Sequence, residues 1–145
     1  MRTNRESCKE ADMTVQGGCR CGAVRYRAEG EPQHVAICHC NDCRRSSGAP
    51  MVVWAMFPQD RIRIEGEVTS YVSSPGVTRQ FCGRCGTGLF YLNPGIFPDA
   101  IDIQTGTSDE AGALPPEAHI QMAEATSWMR NVNALPKFDR FPSPT

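Results

Sequence analysis

Cys38-His39-Cys40-Asn41-Asp42-Cys43, followed by Arg44-Arg45-Ser46-Ser47-Gly48, places three cysteines within six residues. At this C-x-C-x-x-C spacing the thiols converge on one ion. Zinc is the expected one, because thiolates are soft ligands that hold it at about 2.3 Å. Three protein ligands leave one corner of a tetrahedron, and an open corner filled by water or substrate separates a catalytic zinc from a closed structural one. Val35-Ala36-Ile37 runs into the motif as a strand, and Asn41 or Asp42 is placed to cap a short helical turn through Ser47 that Gly48 ends. A strand end meeting a helix start also favours thiolate, since free helix amides stabilise negative charge.

Two further cysteine pairs flank this centre. Cys19-Arg20-Cys21-Gly22 sits on a turn between Thr14-Val15-Gln16-Gly17-Gly18 and the alternating Ala23-Val24-Arg25-Tyr26-Arg27-Ala28, which reads as a half-buried strand. Cys82-Gly83-Arg84-Cys85-Gly86 follows a strand over Val77 to Phe81 and is a knuckle, in which the glycines permit the tight turn that points both sulfurs at one ion. Two pairs supply four ligands and close one tetrahedron, leaving the triplet with an open shell. Counting alone also allows a partition in which one pair completes the shell of the triplet.

Between the clusters the pattern is one of short strands. Met51 to Phe57 is a continuous apolar run bounded by Pro50 and Pro58, as expected of a strand buried on both faces. Arg61 to Gly66, Thr69 to Ser73, Leu89 to Leu92 and Ala100 to Gly106 complete an expected set of about eight strands in antiparallel sheets with little helix. Pro115-Pro116-Glu117-Ala118 turns into His119-Ile120-Gln121-Met122. The proline-rich end is expected to lie as an extended strap with Phe138 and Phe141 packed down. In the alternating strand Asp102 is expected to face outward, and Trp54 and Trp128 to be core or pocket-wall rings. His39, between two ligands, is expected to point away from them by strand alternation.

The whole chain has 145 residues, the length of one domain. Residues 1–13 are expected to be a flexible tail, with Cys8 a free thiol in it, and residues 14–145 a single zinc-binding domain. Fifteen Lys and Arg against 16 Asp and Glu give a formal net charge of −1, so no global field draws the chain to nucleic acid or to an anionic membrane. Eight cysteines without an apolar leader, and no run of the roughly 18 apolar residues that spans a bilayer, point to a cytoplasmic protein whose thiols bind metal rather than pair.

The order C-x-C, then CHCNDCRRSSGAP, then FCGRCGTGLFY, with a late His119-Ile120 and a closing Leu-Pro-x-Phe-Asp, resembles the family of glutathione-dependent formaldehyde-activating enzymes and centromere protein V. The resemblance covers residues 14 to 142. It implies a mainly β, β-tent fold with two zinc ions per chain: a structural one on Cys19, Cys21, Cys82 and Cys85, and a second on Cys38, Cys40 and Cys43, with these three in the catalytic role. It also implies a carbon–sulfur lyase type of enzyme, joining a small thiol such as glutathione to an aldehyde as S-hydroxymethylglutathione is formed. Arg44 and Arg45 are candidates to hold substrate carboxylates by forked hydrogen bonds, or else form a solvated helix surface. The contrasting expectation is a non-catalytic, zinc-braced protein-binding module.

Overall fold

The computed structural model describes residues 13–143. The expected tail, Cys8 included, lies outside them apart from Met13. Ten strands form two sheets: β1 (Thr14–Gly18), β2 (Arg25–Glu29), β3 (His34–Cys38), β4 (Val52–Pro58), β5 (Ile62–Glu65), β6 (Thr69–Ser74), β7 (Val77–Phe81), β8 (Gly88–Leu92), β9 (Ala100–Gln104) and β10 (Ala118–Ile120). The smaller sheet runs β1-β2-β5, and the larger β10-β3-β4-β9-β8-β7-β6. Among the described residues one α-helix, α1 (Asn41–Ser47), interrupts the strands, together with short 3₁₀ turns.

β4 explains how the layers are arranged. Its apolar run lies inside the seven-stranded sheet between β3 and β9, and side chains alternate between the two faces of a strand. Ala55 and Phe57 point into the main core with Val15, Tyr26 and Ala28 of the small sheet and Ile101 and Ile103 of β9. Val52 and Trp54 point the other way, into a second cluster with Cys38 and Cys43. The edge-to-face contact of Tyr26 on Phe90, 5.7 Å between centroids, packs the sheets together. Further contacts secure the small sheet: Tyr26 Oη hydrogen-bonds Thr107 Oγ1 at 2.9 Å, and the Asp109 amide donates to the Gln16 carbonyl at 2.9 Å.

Three expectations need correction. The pairing is not wholly antiparallel: β10 runs parallel to β3, with His119 opposite Ile37 and Ile120 opposite Cys38. Parallel neighbours need a long crossover, and residues 39–117, about half of the chain, lie between these two strands. Ten strands lie among the described residues rather than about eight, and the three-residue β10 is too short for alternation to register in sequence. The chain end is not packed down: Ser127–Ala134 forms 3₁₀ turns, and Phe138 and Phe141 are 59% and 95% exposed. Pro136 and Pro142 lack the amide that would join a sheet.

Phe57 is fully buried where the two sheets meet. Phe57→Ala should lower unfolding stability by about 3–5 kcal/mol, whereas Phe141→Ala should change it by less than about 0.5 kcal/mol. Paired urea titrations check both; similar losses for the two variants would contradict this core.

Candidate metal centres and active site

The turn after β1 and the turn after β7 meet. Gly22, at φ +81°, and Gly86, at φ +83°, occupy the left-handed region that lets each short turn reverse; the Gly22 amide donates to the Cys19 carbonyl and the Gly86 amide to the Cys82 carbonyl. The sulfurs of Cys19, Cys21, Cys82 and Cys85 all lie within 4.8 Å of one another. Cys19 Sγ is 3.6 Å from Cys21 Sγ, which is 3.8 Å from Cys82 Sγ. A tetrahedron of sulfurs with bonds of about 2.3 Å has edges of about 3.8 Å. The donor set therefore fits a four-coordinate zinc and is too open for a disulfide. Cys19 and Cys82 are buried in the main core cluster, and Cys21 and Cys85 are exposed. The Thr87 hydroxyl holds Cys85 down to about 5, keeping it thiolate.

The sulfurs of Cys38, Cys40 and Cys43 likewise lie within 4.8 Å of one another, with no fourth His, Cys, Asp or Glu in the group among the described residues. Cys38 ends β3, and Cys40, not Asn41 or Asp42, caps α1: its backbone is extended (φ −66°, ψ 151°) and its sulfur accepts from the Cys43 amide at 3.2 Å. A sulfur at the cap turns the helix-start amides onto a ligand. Gly48, at φ +73°, ends the helix as expected. Three soft sulfurs on a strand end and a helix start fit a zinc with one corner open.

Sequence reasoning missed Arg79. It sits on β7, 5% exposed, and its Nη2 donates to Asp42 Oδ2 at 2.7 Å and toward Cys43 Sγ at 3.5 Å. Its guanidinium lies 4.9 Å from the Tyr91 ring centroid and 5.9 Å from that of Trp54. The Cys38 thiol and then Arg79 pull Cys43 down to about 5, against burial, and Cys38 is pushed up in turn. The alternating Val77-Thr78-Arg79 signals only which face Arg79 takes; its partners lie 36 and 37 positions away.

The triplet opens onto a pocket of about 420 Å³ walled by Trp54, Met56, Tyr91, Ile96, Phe97 and Ile120. Asp102 lines it too, correcting the outward placement: it is 6% exposed, its Oδ1 has no hydrogen-bond partner, and burial followed by the charge on Cys43 raises it to about 7. Trp54 is a pocket-wall ring, while Trp128 is 51% exposed. His39 is fully buried, and its Nε2 meets His119 Nδ1 at 2.9 Å, so that histidine pair fastens β10 beside the triplet. Arg44 donates to Asn41 Oδ1 at 3.1 Å and Arg45 is exposed; neither lines the pocket.

A family model described as Glutathione-dependent formaldehyde-activating enzyme matches residues 14–124. A Halomonas elongata protein, named provisionally as a glutathione-dependent formaldehyde-activating enzyme, is 29% identical over 128 residues, which is 81% of this chain and 80% of that one. An uncharacterised lyase of Schizosaccharomyces pombe is 30% identical over 76 residues, 52% of this chain and 56% of that one. The crystal structure of a Rhodobacter sphaeroides protein shares the fold at a TM-score of 0.58 and 20% identity, covering 72% of this chain and 98% of that one. No helix among the described residues is long and apolar enough to cross a membrane.

Cys82→Ser should release one zinc and abolish most of the cooperative thermal transition, because metal binding at a closed site is folding free energy. Metal analysis and calorimetry check this; a fully metallated, fully folded variant would refute the partition. Asp102 gives a pH signature. A carboxyl raised to about 7 in the folded chain holds its proton more tightly than in the unfolded chain. Its contribution is therefore most favourable at low pH and is lost as pH rises from about 4 to 7. Asp102→Asn should remove that fall, read as stability against pH; an unchanged slope would show that Asp102 is not the titrating group.

Proposed function

Since the chain belongs to the glutathione-dependent formaldehyde-activating enzyme family, we propose that it is a carbon–sulfur lyase type enzyme which makes and breaks the bond between a small thiol and an aldehyde carbon. The observation that carries this reading is the incomplete sulfur triplet opening onto the 420 Å³ pocket. In this proposal residues 14–145 act as a single domain with two zinc ions. Cys19, Cys21, Cys82 and Cys85 brace the fold, and Cys38, Cys40 and Cys43 hold the ion at the reaction centre. A zinc there, when bound, supplies the positive charge that keeps a substrate thiol deprotonated or polarises a carbonyl oxygen.

The residues of the chain do the rest. Arg79 offsets part of the thiolate charge through Cys43 and is held in place by Asp42 and the rings of Tyr91 and Trp54. The aromatic walls exclude water, so a thiol and an aldehyde meet in an orienting, low-dielectric space. Asp102 adds a buried carboxyl to the pocket wall. Glutathione is the thiol that the family description points to, and dependence on free thiolates suits a reducing compartment such as the cytoplasm. If both centres only brace a binding module, the pocket at the triplet is left without a role.

The test is a thiol titration of the cobalt-substituted chain. A small thiol should perturb the thiolate-to-metal bands, with affinity rising as pH rises because binding releases the thiol proton. Cys40→Ala should lose the second metal, the thiol response and activity together while keeping a cooperative unfolding transition. No spectral change with any thiol, or a Cys40→Ala chain as unfolded as Cys82→Ser, would leave the binding module as the better account.

A further inference from the structure

The pocket wall narrows the class of substrate, and the narrowing rests on the triplet being a thiol-binding centre. Among the described residues Arg79 is the one permanent cation on that wall. Its charge is already engaged by Asp42 at 2.7 Å and by Cys43 Sγ at 3.5 Å. Arg44 and Arg45 lie off the wall. On the other side of the balance are Asp42, Asp102 and a centre in which three thiolates on a dication keep one net negative charge. Arg79 and Asp42 cancel, which leaves the interior negative. A carboxylate entering it loses hydration beside like charge and meets no free cation.

A neutral substituent is treated differently. Trp54, Met56, Tyr91, Ile96, Phe97 and Ile120 offer apolar and aromatic surface to it.

We propose that this pocket takes the aldehyde adduct of a small neutral thiol with an apolar or aromatic substituent, and selects against thiols that carry carboxylates, glutathione included. Asp102 is then a specificity residue, repelling anions from the pocket wall. Asp42 acts with it by holding the Arg79 charge away from an incoming carboxylate.

The test uses the full cobalt-loaded chain at about pH 8 with three probes: 4-(mercaptomethyl)benzoate, its methyl ester, and glutathione. The first two share ring and thiol and differ by one negative charge. Dissociation constants from the thiolate-to-metal bands should favour the ester over the acid by at least about tenfold, the factor of one modest charge interaction, with glutathione no tighter than the acid. Asp102→Asn and, separately, Asp42→Asn should each tighten the acid several-fold and leave the ester nearly unchanged. An acid or glutathione that binds as tightly as the ester overturns the substrate class while leaving the thiol centre standing. Spectra unmoved by all three probes remove the thiol centre, and the substrate class with it.

Discussion

Period-two alternation along the central strands of the seven-stranded sheet is the constraint on which the rest depends. β4 and β9 are covered on both faces, so the side chains that alternation turns away from the main core are not given to water. Ala55, Phe57, Ile101 and Ile103 fill the space against the small sheet. Trp54, Met56 and Asp102, their neighbours in sequence, wall the pocket at the triplet. Packing and chemistry thus share the same strands, and the core fixes the position of the pocket wall because neither face can shift register without exposing the other.

On that face the electrostatics are unusually concentrated. Three sulfurs that need to be thiolate to bind metal lie beside a buried arginine, which is itself held by a carboxylate and two rings. Removing Arg79 would leave Cys43 and Asp42 without their cation, and removing Asp42 would free a guanidinium inside an apolar space. Cys40 contributes in two ways, as one of the three sulfurs and as the helix cap, so α1 cannot move without moving the centre. The knuckle pair Cys82 and Cys85 and the turn pair Cys19 and Cys21 bring their four sulfurs within 4.8 Å of one another, where a turn of the small sheet meets a turn of the large one. The two sulfur groups therefore lie on different parts of the chain.

Much of this was legible in the order of residues. The three cysteine clusters could be written down from spacing, because ligands on short turns are local: C-x-C and C-x-x-C bring sulfurs together whatever the rest of the chain does. Alternation marked β2, β5 and β9, and a continuous apolar run between two prolines marked β4, since a half-buried strand alternates and a strand buried on both faces does not. The glycines at 22, 48 and 86 read correctly as turn ends because a positive φ is a local demand. The meeting of the first pair with the last, 61 residues apart at Cys21 and Cys82, was inferred by count and by resemblance, and the fold brings those sulfurs to 3.8 Å.

Tertiary structure alone decided what faces what. Alternation says that Asp102 lies opposite Ile101 and Ile103, but a second covered face turns that opposite side inward, so the same pattern reads as solvent in sequence and as pocket wall in the fold. Arg79 is one of many arginines until β7 sets it against α1. His39 acquires its role from His119, 80 residues away on a three-residue parallel strand too short to leave a periodic signal. Phe138 and Phe141 look like anchors by composition and are exposed, since hydrophobicity states a preference for burial and cannot supply the surface that would satisfy it. Local chemistry, written in turns and spacings, was fixed by the sequence itself; contacts between distant strands, and hence the charge and shape of the pocket, exist only once the sheets have closed.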